Sequence, residues 1–280
     1  MCQGYRLLVF GLAQRIPGRF FLRNLYERRG LLFQLVRRDF EQRFVGSVAG
    51  WIWGLIHPLV LLICWTFVFS VCLRQKLPDG QPGSYPLFLF AGMLPWLLFS
   101  ETVQRSSSSL VEQATLITKT VFPAEMIPLS VFLSALVSHF MALALLLVAV
   151  EIWLHSLGAV IVVLPLYMLL LGMLAVGIGW IVAALQVYLR DTSQVLTVAL
   201  TFWFWLTPIF IFEEQFPARL RVLLYANPLR YVVLAYRKVL LAAQMPSLAD
   251  AAMLAAYGVA VFCIGGLVFR HLKRGFADVL

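Results

Sequence analysis

The chain is 280 residues long, 62% hydrophobic and 12% charged, with a mean hydropathy of +0.90, more apolar surface than one soluble core of this length can bury. The formal net charge of +9 does not describe a nucleic-acid-binding face, because the positive residues flank apolar runs instead of forming a patch. The bilayer is the expected solvent, and each spanning helix then needs about 20 mainly apolar residues, so that every backbone polar group finds its partner inside the segment.

Residues 1–46 carry nine arginines, at positions 6, 15, 19, 23, 28, 29, 37, 38 and 43. They interrupt every early apolar run before a cleavable signal sequence can form. Leu8, Leu12, Ile16 and Phe20 recur at helical spacing opposite these charges, which suits an arm lying on the anionic cytoplasmic leaflet, interrupted at Pro17 and Gly18. Residues 31–44 repeat the theme, setting Leu32, Leu35, Val36 and Phe40 against Arg37, Arg38, Asp39, Glu41 and Arg43. This piece is predicted to lie flat before the chain turns inward.

No Asp, Glu, Lys or Arg occurs between Arg43 and Arg74, the first predicted span. It opens with Gly46, Gly50 and Gly54, a spacing that lets another helix approach backbone to backbone. Residues 77–85, with Pro78, Asp79, Gly80, Pro82 and Gly83, are predicted as a turn-rich external loop. The second uncharged interval, Asp79 to Glu101, is expected to continue as helix into Ser106–Ser109. Glu112–Pro128 then falls in the cytoplasm. A third span lies between Glu125 and Glu151. A turn at His155, Ser156 and Gly158 precedes a fourth, starting near Ala159, and the fifth lies between Asp191 and Glu213. The segment from Glu213 to Gln244 is external by the count of spans, yet it carries Arg219, Arg221, Arg230, Arg237 and Lys238 against the positive-inside rule. Its apolar content predicts short helices that dip back into the membrane, broken at Pro217, Asn227 and Pro228. Ala251–Phe269 supplies the last span, followed by Arg270, Lys273 and Arg274. The expected fold is all-α: a basic cytoplasmic arm and interface helix over residues 1–46, then a six-span transmembrane domain over 47–280 with both termini inside.

For chemistry, the sequence offers no P-loop and no H-E-x-x-H, and His57, His139, His155 and His271 are far apart. Cys2, Cys64, Cys72 and Cys263 are scattered and read as small apolar fillers, without metal-ligand spacing. Glu101 and Arg105, spaced i,i+4 at a membrane segment, form either a structural ion pair or a functional intramembrane site, with Ser106–Ser109 as interhelical glue or the lining of a polar path. Phe202, Trp203, Phe204, Trp205, Phe210 and Phe212 crowd the outer half of the fifth span, and Trp51, Trp53, Trp65, Phe67 and Phe69 the first. They constitute an interfacial aromatic belt or a sugar path, since aromatic faces offer apolar contact to pyranose C–H faces.

Leu35–Leu73 (LVRRDFEQRFVGSVAGWIWGLIHPLVLLICWTFVFSVCL) resembles the opening of the ABC-2 type permeases that export lipid-linked polysaccharides such as O-antigen, capsule and teichoic acid. Tyr85–Ser100 (YPLFLFAGMLPWLLFS), Leu116–Ser130 (LITKTVFPAEMIPLS) and Tyr225–Tyr231 (YANPLRY) continue the likeness in order. The tail Phe269–Leu280 (FRHLKRGFADVL) resembles the ending of the O-antigen branch. The likeness runs from about residue 31 to the end, leaving the preceding arm outside it.

The resemblance implies a homodimer of six-helix permeases in the bacterial inner membrane, with two separate ATPase subunits docked from the cytoplasm. ATP and magnesium belong to that partner, and no cofactor is expected on this chain. It implies a channel for an undecaprenyl-linked glycan, with Trp65, Trp203, Trp205 and Phe210 as candidate path residues. A coupling loop over about 112–127 would meet the ATPase through Lys119, Val121, Phe122, Pro123 and Glu125. Arg37, Arg38 and Asp39 become candidates for the interface helix and a lipid-phosphate contact, since arginine grips phosphate bidentately, and residues 213–244 for external gate helices. Three rivals stay open: a permease for drugs or simple lipids, a membrane-embedded glycosyl- or acyltransferase acting on lipid-linked sugars, and an assembly scaffold. The branch-like tail opposes the first, the lack of clustered polar residues at one membrane face the second, and the coupling-loop likeness the third.

Overall fold

Apolar runs of bilayer length become helices because a helix pairs its backbone groups within itself. The computed structural model describes residues 27–43, 50–77, 83–119, 122–155, 157–210 and 212–279. The expectations for the arm before residue 27, for Gly46, for Pro78–Pro82, for Ser156 and for Val121 lie outside the described residues. An amphipathic helix α1 (Arg29–Gln42) precedes the first apolar helix, which enters by a 3-10 turn (Gly50–Ile52), continues as α2 (Trp53–Thr66) and ends in a π-helical turn (Phe67–Cys72). Then follow α3 (Tyr85–Glu112), the short α4 (Ala114–Lys119), α5 (Met126–Leu154), a 3-10 turn (Ala159–Val163) running into α6 (Leu164–Tyr188), and α7 (Thr192–Leu206). A hairpin of α8 (Arg221–Ala226) and α9 (Pro228–Leu241), the long α10 (Leu248–Leu272), a 3-10 turn (Lys273–Gly275) and α11 (Phe276–Val279) complete the chain.

Five of these stretches are long and apolar enough to cross a membrane: Gly50–Cys72, Tyr85–Glu112, Met126–Leu154, Ala159–Tyr188 and Leu248–Gly275. The interval expected as the fifth span instead holds a helix of 15 residues, which rises only about 22 Å against a hydrocarbon core of about 30 Å. It stops because Pro208 disfavours helical geometry at the residue before it, and Thr207 accordingly takes extended backbone (φ −86°, ψ 133°).

The helices differ sharply in depth. Helix α3 is innermost, with 78% of its apolar window buried, whereas the first apolar helix has 6% buried and meets few neighbours. Helix α6 packs against α3 on one side and α10 on the other. The α6–α10 crossing is a backbone contact: a Cβ on Gly177 would sit 2.8 Å from the Phe262 Cα, and one on Gly265 2.9 Å from the Gly177 Cα. Small residues therefore create the close helix approach here. Gly50, by contrast, has open space around it within the chain and takes φ +52°, a left-handed turn into the helix. Cys64, Cys72 and Cys263 are exposed; they sit on outward faces and do not fill the core as expected.

The hairpin after α7 breaks where anticipated. Asn227 caps α9 by accepting the Leu229 N–H at 3.0 Å, with Pro228 at the first helical position. Helix α8 is largely exposed, while α9 is buried against α3, α5, α6 and α10. Two of the arginines that defied the positive-inside rule are consumed inside the protein. Arg230 pairs through two guanidinium nitrogens with Glu213 and lies over the rings of Tyr225 and Tyr231 at 4.5 and 5.2 Å. Arg237 donates to the carbonyls of Phe88, Pro208 and Ile209.

Candidate functional site

Helix α1 is fixed to the bundle by charge. Its Asp39 and the Arg43 that caps it share a face at i,i+4, as do Glu101 and Arg105 on α3, and the two pairs cross. Arg105 Nη2 donates to Asp39 Oδ1 at 2.7 Å, and Arg43 Nη1 lies 2.5 Å from Glu101 Oε1. The pairs along each helix are looser, 3.7 Å for Arg43–Asp39 and 3.8 Å for Arg105–Glu101. Arg43 Nη1 also donates to Ser138 Oγ of α5 at 3.1 Å. Burial lowers the Arg43 pKa from its usual value, and the carboxylates of Glu101 and Asp39 act against that. The arrangement reassigns Asp39: it belongs with Glu101 and Arg105, while Arg37 and Arg38 stay exposed, Arg37 bonding Glu41 at 2.7 Å. Sequence reading missed Arg43 as a member, although two opposite-charge i,i+4 pairs were the available signal.

Above this cluster a cavity of about 610 Å³ opens between α2, α3, α5 and α7. Arg43, Glu101, Gln104, Ser138 and Thr197 supply its polar part, where Thr197 Oγ1 donates to Gln104 Oε1 across 3.4 Å. Leu61, Trp65, Trp96, Leu97 and Phe204 supply its apolar part. The centre of the aromatic group is Phe204, with ring centroids 5.3 Å from both Trp65 and Trp96. Of the four candidate path residues, Trp65, Trp205 and Phe210 are brought together, Phe210 lying 5.0 Å from Trp65 and 5.4 Å from Trp205. Phe210 is buried, and Trp205 turns outward with Phe202. Trp203 faces the other way: its Nε1 donates to Asn227 Oδ1 at 2.9 Å and its ring meets Phe99. A polar, charge-bearing floor under aromatic walls suits an amphipathic molecule with hydroxyls or an anionic group at one end and C–H faces at the other.

The segment between α3 and α5 gathers the candidate coupling residues at one end of the bundle. Thr118 and Lys119 of α4 are exposed, Phe122 is half-buried against the core, and Pro123 and Ala124 are buried. Glu125 directly precedes α5; its backbone carbonyl accepts the Trp180 Nε1–H at 3.0 Å and its carboxylate accepts from Lys273 at 2.6 Å. On the opposite face, Gln75 Nε2 donates to Gln215 Oε1 at 3.4 Å, so the loops after the first apolar helix and after α7 leave the bundle side by side.

Among the described residues, an all-helical arrangement with five bilayer-length apolar helices, a charged amphipathic helix at one end and a cavity of polar floor and aromatic walls defines a multi-pass membrane protein. The sequence matches the ABC-2 type transporter family over residues 30–241, and the chain belongs to that family. It is 29% identical to the O-antigen export system permease protein RfbA of Myxococcus xanthus, covering 92% of this chain and 98% of that one. It is also 26% identical to an O-antigen export system permease protein RfbA of Klebsiella pneumoniae, over 89% and 95% of the two chains. The polysialic acid transport protein KpsM of Escherichia coli is 24% identical, over 84% and 91%.

Proposed function

We propose that this chain is the permease subunit of an exporter that carries an undecaprenyl-linked polysaccharide, O-antigen foremost, across the bacterial inner membrane. The observation that carries the reading is the near full-length match to O-antigen export permeases, joined to a cavity whose polar floor and aromatic walls suit a lipid-linked sugar. Energy comes from a separate ATPase subunit that holds ATP and magnesium and docks on residues 112–127, because this chain carries no P-loop. The functional unit is a homodimer, in which the exposed apolar faces of the first helix and α7 (Ile63, Phe67, Val198 and Phe202 among them) meet the second copy or lipid. Trp65, Trp205 and Phe210 border the path on this reading, Trp203 supports it from behind, and Arg37 and Arg38 meet headgroup phosphates. Helix α7 with residues 207–210 makes the sixth crossing, and α8–α9 forms the external gate.

The test is a strain lacking the chain. An impermeant lectin applied to spheroplasts should fail to reach the lipid-linked glycan, and access should return with the wild-type gene. Glycan reaching the outer leaflet without this chain, or with it when the ATPase is inactive, would overturn the reading. Topology is checked by single cysteines in a cysteine-free background: Gln75→Cys and Gln215→Cys should label from outside and Gln113→Cys should not. Phe122→Ala should leave a folded dimer but weaken its complex with the ATPase by about 1–2 kcal/mol, less than for a fully desolvated aromatic anchor because the ring is already half-buried in its own chain. Co-purification yield measures it, and wild-type yield with wild-type export would remove Phe122 from the docking surface.

A further inference from the structure

The tail after α10 does not trail into solvent. Tyr188 of α6 donates its hydroxyl to the Leu272 carbonyl at 2.7 Å, and a Cβ on Gly275 would stand 2.6 Å from that same hydroxyl oxygen, so the 3-10 turn is pressed against α6. Phe276 is buried at 1% exposure, between the rings of Phe269 at 5.6 Å and Tyr188 at 6.2 Å. This seats α11 against α4 and α6. From that seat Lys273 Nζ donates to Glu125 Oε2 at 2.6 Å, joining residues 148 positions apart in the chain.

Glu125 lies within the candidate coupling segment, at its junction with α5. It precedes the 29 residues of α5, where helix polarity favours a carboxylate. That carboxylate does not cap the helix; it is spent on Lys273. Trp180 holds the backbone of the same residue. The side chains of Lys273 and Glu125 are 37% and 23% exposed, and ion pairs at such positions contribute little to global stability. A weak link of this kind is suited to biasing the position of a moving element.

We propose that residues 273–279 form a brace on the coupling segment and that Lys273 is a positioning residue for transport, setting where Glu125 and the start of α5 stand when the segment is pushed. The brace rests on the reading of residues 112–127 as the place where ATPase motion arrives. The positive-inside role of the tail is a separate matter, because Arg270 and Arg274 flank Lys273 and keep the tail basic without it.

Two measurements test it, the first on the permease alone in nanodiscs. Lys273→Glu should speed amide hydrogen exchange over residues 114–126 by about threefold or more, while exchange in α3 stays unchanged. Unchanged exchange over 114–126 overturns the brace whatever the chain transports. The second uses the complex with its ATPase, scoring surface glycan of the producing strain against ATP hydrolysed. Lys273→Glu should lower export per ATP by about five- to tenfold at unchanged complex yield and unchanged KM for ATP. Lys273→Arg should retain export. Wild-type export per ATP in Lys273→Glu, or a loss in Lys273→Arg as large as in Lys273→Glu, overturns the positioning role. If the wild-type complex itself moves no glycan, the functional reading fails, and the exchange measurement still decides the brace.

Discussion

Arg237→Met is expected to destabilise the fold strongly. Pro208 ends α7 early, and the backbone after it is irregular in a place where neither water nor a helix satisfies its carbonyls. Arg237, 8% exposed, supplies what is missing: its Nη1 donates to Pro208 O at 2.8 Å, its Nη2 to Ile209 O at 2.6 Å and its Nε to Phe88 O at 3.3 Å. The guanidinium also lies 3.4 Å from the centroid of the Phe88 ring, and Gly92 leaves room for it, since a Cβ there would stand 2.6 Å from Nη2. Methionine fills the volume but leaves the Pro208 and Ile209 carbonyls without this donor, at about 1–3 kcal/mol each, so a loss of about 2–6 kcal/mol is expected. Lysine restores charge without the planar fork and should recover only part. Thermal aggregation of the purified variants in detergent measures the ranking. Gly92→Leu should reproduce the defect from the other side by displacing the same guanidinium. An Arg237→Met protein as stable as wild type would show that the exit segment needs no internal donor.

The elements that sequence reading recovered are those governed by local physics. Uncharged intervals of bilayer length became the long helices, and the Asn227–Pro228 break appeared where a missing N–H and a capping amide coincide. The short α7 was legible too, since Thr207 precedes Pro208, but counting charges alone passed over it. The aromatic run was harder. Helical periodicity separates Phe202 and Trp205, three apart and exposed, from Trp203, which shares a face with Leu196 and Leu200, yet composition lumped them together. Contacts between distant segments left no local trace. Nothing near Glu125 in sequence announces Lys273, and the arginines of residues 213–244 gave no sign that Arg230 and Arg237 turn inward. A basic residue in a membrane protein is assigned to a surface by default, and these two are spent on a carboxylate pair and on bare carbonyls instead.

Reversing one charge in the Asp39–Arg43–Glu101–Arg105 cluster is expected to release α1 from the bundle, and reversing its cross-helix partner as well to re-seat it. The cluster holds two acids and two bases, so it is neutral as a whole, and each tight contact runs between helices: 2.7 Å for Asp39–Arg105 and 2.5 Å for Arg43–Glu101. Glu101→Lys converts the second contact into repulsion beside Arg105 and leaves Arg43, whose side chain is 12% exposed, without its nearest carboxylate. A fully buried pair broken this way costs about 3–5 kcal/mol. Glu101 and Arg105 are about a third exposed and partly screened, so about 2 kcal/mol is the expected loss. That is enough to free α1 in a measurable fraction of molecules while the spans stay folded. Trypsin cleavage at Arg37 and Arg38, already exposed, should accelerate in Glu101→Lys and return towards wild type in Glu101→Arg combined with Arg43→Glu. Export should follow the same order, because α1 and the floor of the cavity share Arg43 and Glu101. Raising salt from 0.1 to 1 M shortens the screening length from about 10 to 3 Å and should speed cleavage of the wild type much less than the substitution does. Equal cleavage in wild type and Glu101→Lys would mean that apolar contacts of Leu35 and its neighbours with α5 hold α1, and that the charges do not.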